Sequence, residues 1–486
     1  MTQPAVAITQ LDGALGVLPA SAGALLAIIG PASDGPTNEP ATFGRAKDVI
    51  NTFGRGPMPQ AAALHIERTG KPVVVIRTAT TTAGAAGTVD VDDVDGTSVI
   101  TVDVDPLAPY DDFDVVFEVV TGGTIGVAGI TFKYSLDGGH NYSPVTALGT
   151  ANTYTIPNSG VVLNFAAGTL VAADEATFRT TAPQWSAAEL GAALDALGQS
   201  AVTWEIVEIV GPLDGTSFDT VETKFAGFFT RGKYHAWMGH FRMPTDGESE
   251  ATYLAAFNTA FGSKSTTFGT VCYGACDLTS AVDGRKYRRP PLFAVASREA
   301  ASSHEVNAAD TNLGALVGVS IRDANGNPRH HDETLNPGPD DARAYVLRTW
   351  DNGPQGVYVN RPRLLSAAGS DFELLPHRRV MNIALSALRA YFIRRLSKPI
   401  QVDATTGFIL EEEALDIEAG AEAAMTAVLL AKPKASGIQF ALSRTDNLLS
   451  TKTLTGDARI IPLGYPEFIN LSVGFLNPAL QVRQAA

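Results

Sequence analysis

Residues 356–395 read GVYVNRPRLLSAAGSDFELLPHRRVMNIALSALRAYFIRR. The second half of this stretch predicts a helix over residues 377–396. Pro376 stands at its entry, where proline is tolerated, and apolar residues then recur at three- and four-residue spacing, which predicts a wide apolar face. The remaining face is narrow and polar. The apolar residues are Val380, Met381, Ala384, Leu385, Ala387, Leu388, Tyr391 and Phe392, and the polar ones are Arg379, Asn382, Ser386 and Arg389.

The end of this helix is basic. Arg394, Arg395 and Lys398 precede Pro399, and cations are favourable at a helix C-terminus. No acidic residue occurs over residues 377–398, although the chain as a whole is acidic. Two interpretations follow: a core helix with a solvated basic rim, or a helix that presents positive charge to an acidic partner.

Composition limits the class of protein. The chain has 486 residues, which is enough for several domains with their own cores. Its net charge of −15 makes nucleic acids and anionic membranes poor partners for the surface as a whole. No apolar run approaches the roughly 18 residues that span a bilayer, and no signal peptide is expected at the N-terminus. Cys272 and Cys276 are expected to be reduced, structural thiols because no second pair completes a zinc site.

The N-terminal part predicts an α/β unit. Residues 24–30, ALLAIIG, are typical of a short buried strand, and the loop PASDGPTNEP follows. Helices are predicted over residues 45–53 and 59–68, and the β-branched run KPVVVIRT, residues 71–78, predicts another strand. This order of strand, helices and strand favours a parallel pair.

Residues 79–184 have a different character. Helical periodicity disappears, and short alternating runs separated by Gly, Thr and Asp predict a β-sandwich insertion with a hairpin turn at Asp137-Gly138-Gly139. The segment between Arg77 and Lys133 is acidic throughout. Clustered aspartates on loops could hold calcium, but solvated acidic loops are the simpler interpretation.

Beyond the insertion, strands alternate with helices again and predict a parallel or mixed sheet. Ser186 is placed to cap a helix over residues 187–197. Residues 292–296 are strand-like and residues 323–341 form a predicted loop. An acidic helix is expected over residues 409–432, with its glutamates near the favourable N-terminal end. Strands are then expected over residues 438–443, 458–462 and 467–475.

Two motifs carry a resemblance to a known family. The stretch VYVNRPRLLSAAGSDFELLPHRRVMN, followed by a long helix, an acidic helix and a strand-rich end, resembles the C-terminal domain of contractile phage tail sheath proteins. Independently, IIGPASDGPTNEP with the later strand VVVIR resembles the opening of the same family. The resemblance covers roughly two thirds of the chain and leaves out the predicted β-sandwich.

The resemblance implies a structural subunit and not an enzyme. Such subunits form a helical stack of rings around an inner tail tube, and contraction drives the tube through the host envelope. The implied partners are copies of the chain itself, the inner tail tube protein, and the baseplate and tail terminator proteins, without nucleic acid and without direct membrane insertion. The implied location is the virion tail, assembled in the host bacterial cytoplasm. A related phage-tail-like injection system would use the same subunit.

The implied fold is a multidomain, mixed α/β protein whose sheath core carries an inserted all-β, sandwich-like domain. The expected parts are an N-terminal arm (residues 1–22), the first part of the α/β sheath domain (23–78), the inserted outer domain (79–184), a middle α/β domain (185–345), the C-terminal inner sheath domain (346–474) and a C-terminal arm (475–486).

The resemblance also assigns residues. Arms in this family add strands to a neighbour's sheet, which places Val6 and Ile8 in the N-terminal arm. Phe475, Leu480 and Val482 fall in the C-terminal arm. The physical argument adds a basic helix that faces an acidic tube, with Arg379, Arg389, Arg394 and Arg395 as the candidate residues.

No catalytic or cofactor site is predicted. The one metal-like cluster is His330, His331, Asp332 and Glu333, and it lacks the spacing of a zinc protease motif. The sequence FGSKS lacks the glycine that a P-loop requires, and no G-x-S-x-G elbow occurs. The alternative is an α/β enzyme or a carbohydrate-binding protein with a β-sandwich module. Particle size separates the two hypotheses, since a sheath protein self-associates into long tubes.

Overall fold

A computed structural model describes residues 25–92, 96–103, 108–245, 247–322 and 337–475. The N-terminal part contains β1 (Leu25–Gly30), β2 (Ala41–Phe43), α1 (Ala46–Phe53), α2 (Pro57–Thr69) and β3 (Val73–Arg77). β1 and β3 run parallel, with Leu26 opposite Val73. The predicted parallel pair is therefore confirmed.

All the regular elements that the structure describes between residues 85 and 181 are strands. These are β4 (Ala85–Ala86), β5 (Asp90–Asp92), β6 (Ile100–Asp103), β7 (Asp114–Thr121), β8 (Gly123–Thr124), β9 (Thr131–Ser135), β10 (Thr146–Ala147), β11 (Thr153–Ile156), β12 (Val161–Phe165), β13 (Thr169–Leu170) and β14 (Glu175–Thr181).

The strands of this insertion pack around one apolar core. The larger sheet has the order β10-β9-β7-β14-β4, with β5 also paired to β14, and a three-stranded sheet has the order β11-β12-β6. Alternate residues of β7 (Val115, Phe117 and Val119) are buried, as are Leu163 and Phe165 of β12. Inward and outward side chains alternate because successive residues of a strand point to opposite faces. The predicted all-β, sandwich-like insertion is confirmed, whereas the exact domain boundaries stay a prediction.

The chain then returns to α/β structure. The elements are α3 (Ala187–Gln199), β15 (Trp204–Pro212), α4 (Gly215–Thr230), β16 (Ala236–His240), α5 (Glu250–Phe261), β17 (Gly269–Cys272), β18 (Ala275–Thr279), β19 (Lys286–Arg289), α6 (Leu292–Ala301), a 3-10 turn (Thr311–Leu313), β20 (Val319–Arg322), α7 (Pro337–Asp341), β21 (Leu347–Arg348) and β22 (Tyr358–Val359).

The main sheet joins both α/β parts of the chain. Its strand order is β17-β16-β15-β1-β3-β2, and all neighbours are parallel except β2. Helices α1, α2 and α6 cover one face of this sheet, the face to which Ile206 of β15 belongs. Helices α3, α4 and α5 cover the opposite face, to which Val207 of the same strand belongs. Ser186 caps α3 through a capping box with Glu189, as predicted.

One prediction about local structure was wrong and another was partly wrong. Residues 292–296, expected as a strand, begin helix α6. A five-residue apolar run cannot be assigned by periodicity, and Pro290-Pro291 directly before it suits a helix entry better than a strand. The predicted loop over residues 323–341 contains α7 at its end, and residues 323–336 with their His330–Glu333 cluster lie outside the described residues.

The C-terminal part packs two long helices against a hairpin. It contains α8 (Leu375–Ile393), α9 (Glu411–Leu429), β23 (Ala435–Leu442), α10 (Leu448–Thr451) and β24 (Gly456–Pro462). Val380 and Ala384 of α8, Ile417 and Met425 of α9, and Phe440 of β23 share one core. The two predicted helices are confirmed with shifts of a few residues at their ends.

Several chemical features of the described residues bear on function. Cys272 and Cys276 are both buried free thiols. Within the ranges that the structure covers, no group of three or more His, Cys, Asp or Glu side chains is arranged to hold a metal ion. Among the helices of those same ranges, none combines the length and the apolar character that a bilayer crossing requires.

Candidate assembly interface

The first half of α8 is buried in the α/β core. Arg379 is only 1% exposed. Its Nε donates to Glu205 Oε1 at 2.6 Å, its Nη1 to the Glu299 carbonyl at 2.9 Å and its Nη2 to the Ser302 carbonyl at 3.1 Å. Arg379 was a candidate residue of the basic helix that faces an acidic tube, and its burial inside the subunit contradicts that assignment. Its guanidinium is used inside the subunit, where it ties α8 to β15 and α6.

Opposing effects set the charges around Arg379. Burial acts to raise the pKa of Glu205, but Arg379 and His304 outweigh it and the net shift is downward. Burial raises the pKa of Glu299 to about 7, although Arg379 and the Tyr345 hydroxyl oppose this shift. Glu205 is consequently the carboxylate that holds its charge beside the guanidinium at neutral pH.

Arg378, the neighbour of Arg379, is buried as well. Its guanidinium carbon lies 4.7 Å from the ring centroid of Phe268, 5.3 Å from that of Phe229 and 5.5 Å from that of Phe372. Burial lowers its pKa to about 10. Arg378 and Glu205 were not singled out from the sequence. A usable signal was the presence of two glutamates, Glu205 and Glu208, in the otherwise apolar strand WEIVEIV, because a buried carboxylate needs a partner to keep its charge.

The second half of α8 reaches the surface. Arg389 and Arg394 are exposed, and Arg395 donates to Asp416 at 2.8 Å. The Arg389 side chain lies against Gly232, where an added Cβ would come within 2.2 Å of Arg389 Nε. Three of the four predicted arginines are thus brought to one end of the helix. We call the exposed set of Arg389, Ile393, Arg394, Leu396 and Lys398 the basic end of α8.

Residues 466–475, which follow β24, are exposed and form no helix or strand. A strand was predicted over residues 467–475, but these residues pair with no strand in the part of the chain that the structure describes. Four apolar residues alternate in this segment, so they would share one side of a strand. These four, Ile469, Leu471, Val473 and Phe475, and the neighbouring Phe468 are exposed by at least 72%. The other predicted arm residues, Val6, Ile8, Leu480 and Val482, lie outside the described residues.

The C-terminal hairpin has one covered edge and one open edge. On the β23 side, Phe440 N donates to Glu422 Oε1 at 3.1 Å and Leu442 N donates to Glu418 Oε1 at 2.7 Å. On the other side, β24 pairs only with β23 among the described strands, and six of its seven residues are exposed. A two-stranded hairpin is marginally stable alone, and an open edge is a template for another strand.

Sequence comparison assigns the family. The family model described as DUF2586, N-terminal domain, matches residues 3–331. The chain belongs to the DUF2586 family. No curated protein matches this DUF2586 protein in sequence.

Solved structures share the fold of this DUF2586 protein. A chain of the anti-feeding prophage (AFP) baseplate is 11% identical with a TM-score of 0.50, and the match covers 98% of this chain and 100% of that one. A chain of the PVC sheath complex, an extracellular contractile injection system in the contracted state, is 10% identical with a TM-score of 0.50 and 99% of both chains covered. The resemblance to sheath proteins seen in the sequence is thus confirmed at the level of the fold. A sheath tail protein from Listeria innocua is 13% identical with a TM-score of 0.45, over 91% of this chain and 96% of that one.

Proposed function

We propose that this DUF2586 protein is a structural subunit of a contractile sheath, a helical stack of rings around an inner tube that contracts to drive the tube through a host envelope. The main observation that supports this proposal is the exposed apolar segment, residues 468–475. Burying one large apolar side chain is worth about 1.5–3 kcal/mol, so five exposed ones favour contact with another chain. The shared fold indicates which kind of assembly supplies that contact.

The assembly contact is strand addition to a neighbouring copy. Segment 468–475 is the donor, and the open edge of β24 in the next copy is the acceptor, since Glu418 and Glu422 already occupy the β23 edge. Main-chain hydrogen bonds provide affinity in this mode, and alternate side chains provide specificity. Leu480 and Val482 continue the donor, and Val6 and Ile8 belong to a second arm.

The basic end of α8 faces an acidic inner tube. Arg389, Arg394 and Lys398 are exposed on one helix end, whereas Arg379 is excluded from this role by its burial. Exposed charge pairs are worth about 1 kcal/mol or less each. Many such contacts would hold an extended sheath on its tube and still allow cooperative release. The further partners are the baseplate and tail terminator proteins, and the place of action is a tail or injection device assembled in the bacterial cytoplasm.

Reversing the charge of this helix end tests its role. Arg389→Glu with Arg394→Glu is expected to prevent assembly on the inner tube, because repulsion replaces several weak attractions in every subunit. Cosedimentation of the chain with tube protein at low ionic strength measures this binding. Arg45→Glu with Lys47→Glu, an equal charge change at exposed positions of the N-cap and first turn of α1, is the control. If the α8 variant cosedimented with tube protein to the same extent as the control variant, the proposal that the basic end of α8 contacts the tube would be contradicted.

Negative-stain electron microscopy of the purified chain tests the function itself. Hollow tubes with a helical repeat are expected as the concentration rises. The contrary result is discrete small particles at every concentration, even with tube protein added. That result would favour the alternative of an enzyme or a carbohydrate-binding protein with a β-sandwich module.

A further inference from the structure

The exposed segment does not leave the subunit from the hairpin that precedes it. After β24, the chain returns to the α/β core. The Tyr465 hydroxyl donates to the Glu305 carbonyl at 2.5 Å, and the Tyr465 ring stacks on His377 with centroids 5.5 Å apart. Two residues later, Arg361 Nη1 donates to Glu467 Oε2 at 2.8 Å. From Phe468 onward the large apolar side chains are exposed.

Both attachment points are themselves fixed. Arg361 also donates through Nε to Asp340 Oδ1 at 3.1 Å, and Asp340 is buried. The loop that carries Glu305 is bound to α8, because Arg379 Nη2 donates to the Ser302 carbonyl at 3.1 Å. Both contact partners of the segment are therefore tied to the core. Among the described residues, the last one anchored to the core is Glu467, and its anchor is the core and not the C-terminal hairpin.

We propose that Tyr465 and Glu467 form a clamp that fixes where, and in which direction, residues 468–475 leave the subunit. This inference concerns the donor segment of the proposed function and rests on that function for its consequence in assembly. An extended residue spans at most about 3.3–3.6 Å, so an acceptor edge that pairs with residues 468–475 must begin within roughly 26–29 Å of Glu467. Fixing the base of the segment in advance also reduces the ordering cost of strand addition.

The first test measures mobility without assembly. Asn470→Cys carries a nitroxide label, and Cys272 and Cys276 are too buried to react in the folded chain. Adding Tyr465→Phe and Glu467→Gln removes one hydroxyl and one charge while preserving side-chain shape. The spectrum of the unassembled chain is expected to show at least twofold faster label motion. Glu373→Gln, which removes a comparable ion pair with Arg363, is the control. Equal mobility in all three proteins would overturn the clamp.

The second test measures assembly. The clamp variant without the label is expected to need at least fivefold more protein for half-maximal tube formation than the wild type or Glu373→Gln. An unchanged concentration despite faster label motion would overturn the link between the clamp and strand direction. If the wild type forms no tubes at all, the proposed function fails, and the mobility experiment still decides whether the clamp exists.

Discussion

Leu471→Ser with Val473→Ser abolishes tube formation at concentrations where the wild type assembles fully. Both side chains are more than four-fifths exposed in the single chain, at 81% and 94%. The substitutions should therefore leave the unfolding temperature unchanged. Losing the burial of two such side chains costs about 3–6 kcal/mol per contact, and each 1.4 kcal/mol is tenfold in affinity. Light scattering against concentration, with electron microscopy of the product, measures the loss.

A matched pair of substitutions separates this effect from general solubility. Val127→Ser with Val145→Ser changes two exposed valines of the β-insertion, which are 58% and 57% exposed. These positions are outside the proposed donor and acceptor, so assembly should remain as in the wild type. If the variant with Leu471→Ser and Val473→Ser formed tubes at the same concentration as the wild type, the proposal that this segment is the donor would be contradicted.

Arg379→Ala has the largest expected effect on the stability of the subunit. The substitution leaves Glu205 buried without its guanidinium partner, although His304 Nε2 remains 3.4 Å away. Removing one partner of a buried ion pair typically costs about 3–5 kcal/mol. The midpoint of urea unfolding, followed by tryptophan fluorescence, should fall accordingly. Arg394→Ala, at an exposed position of the same helix, should stay within about 0.5 kcal/mol of the wild type.

The same pair predicts a pH dependence. Arg379 helps to hold the pKa of Glu205 below its ordinary value of 4.5. The stabilisation from this pair is therefore fully present above pH 4.5 and is lost as the pH falls through the folded-state pKa. The difference in stability between the wild type and Arg379→Ala should shrink at acidic pH. A difference that is constant from pH 7 to pH 3 would mean that the arginine acts through packing alone.

Local patterns in the sequence predicted most of the fold. The β-branched runs around Ile28 and Val75 and the 3.6-residue periodicity of α8 and α9 correctly indicate the elements. These patterns can be read locally because a helix or a strand that buries one face repeats apolar residues with its own period. Residues 292–296 were misassigned because five apolar residues fit a buried helix turn and a buried strand equally well.

The environment of Arg379 could not be predicted in the same way. A polar stripe on a helix has the same pattern whether water or a buried carboxylate satisfies it. Its partner Glu205 is 174 positions away in the sequence, and local periodicity contains no information about that distance. The strand expected over residues 467–475 is the converse case. The alternating pattern indicates the intrinsic preference of the segment, but no strand pairs with it within the ranges that the structure describes.

Helix α8 joins two cores of the subunit. Its first turn belongs to the core of the main sheet through Leu375, and Val380 and Ala384 belong to the core of the C-terminal part. The 14 residue steps from Arg379 to Ile393 span about 21 Å. A rigid-body rotation of about 15° at the Arg379 anchor would therefore move the far end of the helix by about 5 Å. If the basic end of α8 faces an inner tube as proposed, such a movement would separate its arginines from the tube while the helix itself stays intact.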